Sequence, residues 1–182
     1  MWRAGETFAR AGFEPGVAQA FSFHGVGFSL QGDKNRFVLP PTFRKLVKDA
    51  SAGSRILCVA KHDRWPCLTG FGTSRLDAFI AQVEREETFA MNRQEPYDAE
   101  QRLAQLSTFE HLPFDDSGRF VLPDYLTKQA GLTGQAYFNG NGPFFTIWNP
   151  AALMGMGPGW EPMQAACVAL GAEAHAAKAK RS

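Results

Sequence analysis

The chain has 182 residues, 45% of them hydrophobic, 16 phenylalanines and a formal net charge of +1. That composition excludes a disordered chain and gives room for one domain of ordinary size or two small halves sharing a core. A near-neutral balance also means that any affinity for nucleic acid has to come from local charge.

Residues 1–20 carry Arg3, Glu6, Arg10 and Glu14 with no sustained apolar run, so no secretory h-region is expected there. They read as a poorly ordered N-terminal extension with room for a short helix over Ala4 to Ala11. From Phe21 to Leu30, apolar residues interleaved with glycines predict a strand with a bend. A polar turn, Gly32-Asp33-Lys34-Asn35, then leads to Arg36-Phe37-Val38-Leu39-Pro40.

That pentapeptide returns unchanged as Arg119-Phe120-Val121-Leu122-Pro123, after the turn Asp115-Asp116-Ser117-Gly118. The chain therefore reads as two related halves, each a strand, a turn with an arginine at its exit, a strand and a helix. Proline suits a helix start, where its missing N–H has no partner to lose. Phe43, Leu46 and Val47 mark the apolar face of the first helix. Leu126 and Ala130 mark that of the second, and Gly131 is placed to end it in a left-handed conformation.

Between these units, Arg55 to Ala60 and Cys67 to Phe71 read as strands joined by a polar loop. Leu76, Phe79, Ile80 and Val83 predict an amphipathic helix whose exposed face carries Glu84, Arg85, Glu86 and Glu87. A second helix, Tyr97 to Leu106, follows. Further on come strands at Phe109 to Phe114, Arg119 to Leu122, Ala136 to Asn139 and Phe144 to Trp148, the last two joined by a turn at Asn139-Gly140-Asn141-Gly142. The loop Gly155 to Gly159 lacks the Lys-Ser or Lys-Thr of a phosphate cradle and reads as a linker to a helix from Glu161 to about Ala177. Lys178, Lys180 and Arg181 form a basic end.

Cys58, Cys67 and Cys167 show no CxxC spacing, which suits a reducing compartment, and no run of eighteen apolar residues occurs. We therefore expect a soluble cytoplasmic protein. Cys58, His62 and Cys67 lie close enough in sequence for zinc, but no fourth ligand accompanies them, and a buried thiol is the commoner fate. Asp115 and Asp116 could be paired carboxylates of a small hydrolase, although adjacent aspartates before Ser-Gly are ordinary turn formers.

The segment Asp33 to Asp49 sets Lys34, Arg36, Arg44, Lys45 and Lys48 against two aspartates, while Asp115 to Gly131 sets Arg119 and Lys128 against three. Arginine's planar fork matches the O6 and N7 acceptors of guanine, and two-stranded β elements fit the major groove. The plainer alternative pairs Arg36 and Arg119 with the aspartates of their own turns.

Several spaced motifs carry a resemblance. Phe23-His24-Gly25, the first turn with Arg36 to Pro40, Phe43-Arg44, Cys67-Leu68, Asp115-Asp116-Ser117-Gly118-Arg119, Ala130-Gly131-Leu132 and Phe145-Thr146-Ile147-Trp148 together resemble the MraZ family, from about Phe23 to Trp148. The resemblance implies an α+β fold of two tandem swapped-hairpin AbrB-like β-barrel repeats with peripheral helices, assembled into a ring of protomers. It further implies a bacterial transcriptional regulator, nucleoid-associated, that binds short G-rich direct repeats upstream of the division and cell-wall gene cluster. The family's hallmark Asp, four residues before an Arg in each half, is kept as Asp115 and Arg119. In the first half Gly32 stands at that position with Asp33 one residue later, and Gly70-Phe71-Gly72 replaces the family's tyrosine-proline, so the chain reads as a divergent member.

On these grounds the expected divisions are 1–20 as extension, 21–74 as first half, 75–108 as helical connector, 109–150 as second half and 151–182 as linker and basic-tailed helix. Arg36 is expected on guanine edges, Lys34 on bases or phosphates, and Arg44, Lys45 and Lys48 on phosphates. Asn35, Gly32, Asp33, Asp115 and Gly118 are expected to shape the turns, with Arg119 in a structural or secondary role. The expected partners are double-stranded DNA and further copies of the chain; no enzyme activity, cofactor, metal, membrane or small-molecule substrate is expected. The rival reading is an oligomeric scaffold or inhibitor that keeps the fold and has lost its hold on DNA.

Overall fold

A computed structural model describes residues 21–181; the expected extension over 1–20 and its helix lie outside the described residues. In the first half, β1 (Val26–Leu30) leads through the turn to β2 (Arg36–Val38) and α1 (Pro41–Ala50), then β3 (Ile56–Lys61) and β4 (Cys67–Phe71). Two helices follow, α2 (Ala78–Arg93) and α3 (Ala99–Leu106). The second half repeats the order as β5 (Glu110–Pro113), β6 (Arg119–Val121), α4 (Asp124–Gln129), β7 (Gln135–Gly140) and β8 (Phe145–Trp148). The short α5 (Pro150–Met154) and long α6 (Glu161–Ala179) close the chain.

The class is mixed α+β, built on antiparallel sheet. Six strands run in the order β1-β7-β8-β4-β3-β5, and β2 pairs separately with β6. Each strand of the first half has a partner in the second: β1 with β7, β2 with β6, β3 with β5 and β4 with β8. Within the halves, β3 pairs with β4 and β7 with β8. The strand before each turn enters the large sheet and the strand after it leaves, because Phe37 and Phe120 face each other at the centre of the β2–β6 pair, both buried, with ring centroids 6.3 Å apart.

The apolar face of α1 buries Phe43, Val47 and Ala50 in the phenylalanine-rich core. In α4 the buried residues are Leu126 and Thr127, with Ala130 behind them and Gly131 at φ 59, as its left-handed helix stop requires. The central β4–β8 pair depends on Gly70, since a Cβ there would come within 2.3 Å of the Phe145 ring. A second cluster gathers Cys67, Tyr137, Trp148 and Cys167 under α6, while Cys58 lies in a third with Phe71 and Phe79.

Local pattern misleads in four places. Ile80, expected on the inner face of α2, is 63% exposed, while Phe79, Val83 and Ala90 are the buried residues of that helix. Glu86, expected on the outer face, turns to α3 and accepts hydrogen bonds from Arg102 and Tyr97. The turn between β7 and β8 is wider than Asn-Gly-Asn-Gly suggests, as Gly140 stays in the ladder opposite Phe145 and only Gly142 has positive φ. Finally, α5 is a helix the local pattern did not suggest, lying just ahead of the expected Gly155 to Gly159 loop; it is started by Pro150 and capped by Asn149, whose side-chain oxygen accepts from the Ala151 amide. Among the described residues no helix is long and apolar enough to cross a membrane.

Candidate nucleic-acid interface

The β2–β6 ribbon alternates strictly. Phe37 and Phe120 point into the core, so Arg36, Val38, Arg119 and Val121 share the outer face. The antiparallel register sets Arg36 opposite Val121 and Val38 opposite Arg119. Both arginines line one open depression of about 570 Å³, together with Asp115 and Val121.

The two turns share a backbone frame. The Gly32 amide donates to the Arg36 carbonyl at 2.7 Å, and the Asp115 amide to the Arg119 carbonyl at 3.0 Å. Each turn also receives an amide from the other half: Leu122 donates to the Asn35 carbonyl at 3.1 Å, and Leu39 to the Gly118 carbonyl at 2.7 Å. Asn35 and Gly118 occupy matching left-handed positions, at φ 54 and 81. Lys34 adds a second left-handed residue at φ 55 in the first turn, a conformation L side chains resist and asparagine tolerates better than lysine.

The side chains that hold the turns differ. In the second, Asp115 Oδ1 accepts from the Ser117 and Arg119 amides, both at 2.9 Å, and its other oxygen lies 3.7 Å from the Arg119 guanidinium. The Arg119 amide first, then the Ser117 amide and the positive charges of Arg119 and Arg44, pull the Asp115 pKa below the usual carboxylate value. In the first turn Gly32 offers no carboxylate, and a relay replaces it. Gly134 N donates to Gln31 Oε1 at 2.8 Å, Gln31 Nε2 to Asn35 Oδ1 at 2.8 Å, and Asn35 Nδ2 to Asp124 Oδ1 at 2.5 Å. Arg36, by contrast, is exposed and its guanidinium has no hydrogen bond or ion pair within the described residues.

Lys34, Lys45 and Lys48 are exposed, the lysines of α1 on its outer side. Arg44 departs from its expected phosphate role. It is half-buried over the second turn, where Nη1 donates to the Asp116 carbonyl at 3.0 Å and Nη2 to that of Leu39 at 3.4 Å. Its Nε is buried without an acceptor, and it packs where a Gly118 Cβ would sit, 2.6 Å away. Arg44 therefore staples the two halves. Asp33 is exposed, and its carbonyl accepts the Arg36 amide. Asp116 pairs with Arg55, and Asp115 accepts the amides of its own turn.

The zinc alternative does not assemble. Cys58 and Cys67 belong to different apolar clusters, where burial raises their thiol pKa values to about 11 and about 12. His62 Nδ1 is occupied by the Arg64 and Trp65 amides. Gln31, Asp124 and Arg55 were not singled out from sequence; the one available signal was that Asp124 breaks the repeat, standing where the first half has Pro41.

A transcriptional regulator MraZ from Rhodospirillum rubrum is 36% identical to this chain over 124 residues, spanning 66% of the chain and 74% of the relative. The chain belongs to the MraZ family. MraZ relatives from Parvibaculum lavamentivorans and Gluconacetobacter diazotrophicus are 32% and 30% identical, covering 72% and 65% of the chain and 78% and 73% of themselves. No family model matches. Together with Gly32 at the hallmark position, these identities mark a divergent member of the family.

Proposed function

We propose that this chain is a sequence-specific, DNA-binding transcriptional regulator that reads short G-rich direct repeats through Arg36. The observation that carries the reading is the contrast between the arginines: the Arg36 fork stands exposed and unpaired on the outer face of a two-stranded ribbon, whereas Arg119 lies beside Asp115. An unpaired fork can donate to guanine O6 and N7 together. Lys34 beside it, with Lys45 and Lys48 on α1, would take neighbouring phosphates. The relay through Gln31, Asn35 and Asp124 would aim Arg36 in place of the missing hallmark carboxylate.

The cross-half strand pairs support reading 21–74 and 109–150 as two swapped-hairpin AbrB-like repeats, with 75–108 as connector and 151–182 as a terminal helical unit. One basic ribbon per chain gives modest affinity. A ring of protomers on successive repeats would supply the effective concentration that specific binding needs. In this reading the protein works in the cytoplasm on the nucleoid, at the division and cell-wall gene cluster.

Selection of bound duplexes from a random pool tests the proposal. Enrichment of evenly spaced G-rich repeats is the expected result. Retained oligomers with no enriched sequence would instead favour the scaffold or inhibitor.

A further inference from the structure

Away from the ribbon, a half-buried cation stands among aromatic rings. Arg75 lies in the 3-10 turn Thr73–Asp77, after β4, with its guanidinium carbon 5.0 Å from the centre of the Phe144 ring and 5.8 Å from those of Phe71 and Phe79. No hydrogen bond or ion pair reaches its side chain within the described residues; burial acts against its charge, and the Asp63 carboxylate offsets part of that. Aromatic faces offset part of the desolvation of a guanidinium but leave its N–H donors unmatched.

The same group lines a cavity of about 110 Å³ between the sheet and the α2–α3 hairpin. Lys61 lines it too, its ammonium held by the His62 and Trp65 carbonyls. The acids nearby are committed elsewhere: Asp63 binds Arg102, and Glu86 binds Arg102, Tyr97 and Gln82. Lys61, His62, Asp63 and Gln105 also line an adjoining groove of about 420 Å³. The chamber thus holds two cations, the Asp63 carboxylate already engaged by Arg102, and phenylalanine walls, at a volume well below that of a drug-sized pocket.

We propose that this chamber binds a small planar organic carboxylate, whose anion takes the Arg75 fork and whose apolar body lies against Phe79 and Phe144. A carboxylate matches the fork in two parallel hydrogen bonds, and the rings reward a flat apolar body more than inorganic phosphate. The inference is independent of DNA binding. The ligand is a bound effector and undergoes no reaction.

Benzoate is the probe, titrated into the full chain by calorimetry and by thermal unfolding, with benzamide as the neutral match in shape. Saturable benzoate binding that raises Tm, about tenfold or more weaker binding of benzamide, loss in Arg75→Gln and retention in Arg36→Ala are the expected results. Equal binding of benzamide, unchanged binding in Arg75→Gln, or no saturable benzoate binding to the folded chain would overturn the proposal. If Arg75→Gln does not fold, the two probes on the unaltered chain decide it.

Discussion

Asn35 Nδ2 donates to Asp124 Oδ1 at 2.5 Å, joining the first arginine turn to the start of α4 in the other half. This bond and the Gln31 bond to Asn35 do for the first turn what Asp115 does for the second. Asp124→Ala should therefore leave the fold standing, since the hydrogen bond removed is exposed and worth about 1 kcal/mol, yet reduce DNA affinity severalfold by freeing the turn that carries Arg36. Thermal unfolding and a mobility-shift titration on one preparation separate the effects. A large fall in Tm, or unchanged affinity, would remove the relay from the account.

Arg44 and its helical neighbours should behave oppositely. Arg44→Ala breaks hydrogen bonds to Asp116 and Leu39 and strips the cover from Gly118, so the expected cost is stability, about 1–3 kcal/mol. Lys45→Ala and Lys48→Ala should leave Tm nearly unchanged and flatten the salt dependence of DNA binding by about one counterion for each phosphate no longer neutralised. Affinity measured across a salt series distinguishes the two classes.

Gly118 is held at φ 81, and a Cβ there would come within 2.6 Å of Arg44 Nε and 2.7 Å of the Leu39 carbonyl. Gly118→Ala is accordingly expected to destabilise by roughly 2 kcal/mol or more, from backbone strain and displacement of the staple together. Chemical denaturation gives the value. Asn35→Gly is the useful contrast, because it suits the left-handed backbone and removes only the relay.

The α2–α3 hairpin gives a pH prediction. The hydrogen bond from Arg102, then those from Gln82 and Tyr97, bring the Glu86 pKa from 4.5 down to about 2 against the opposing effect of burial. A carboxylate depressed by folding stabilises above its unfolded pKa and loses that contribution as pH falls through the folded one. Glu86 should thus contribute fully at neutral pH and progressively less from about pH 5 to about pH 2. Allowing for solvent at a pair 17% and 32% exposed, the contribution is about 1–2 kcal/mol. In Glu86→Gln, Tm should be lower at pH 7 and converge with that of the parent chain near pH 2.

What sequence revealed about this molecule followed the range of each signal. The pentapeptide repeat, the α1 face of Phe43 and Val47, the Cys67–Phe71 strand and the Gly131 stop are local patterns, and all appear in the fold. The pairing of strands across the halves has no local signature; at the ribbon it rests on the meeting of Phe37 with Phe120. Arg44 and Glu86 look solvent-facing by helical spacing, yet long side chains reach back to partners on other elements. The candidate site was legible in its arginines, and opaque in what aims them, because Gln31 and Asp124 lie far apart in sequence.

The central claim is that Arg36 reads DNA while Arg119 braces its own turn. A mobility-shift titration of Arg36→Ala and Arg119→Ala on a selected duplex, at fixed salt, tests it most directly. Arg36→Ala should lose specific binding, at about 1–3 kcal/mol per engaged protomer, with a much smaller loss for Arg119→Ala. Equal losses for the two substitutions would contradict it.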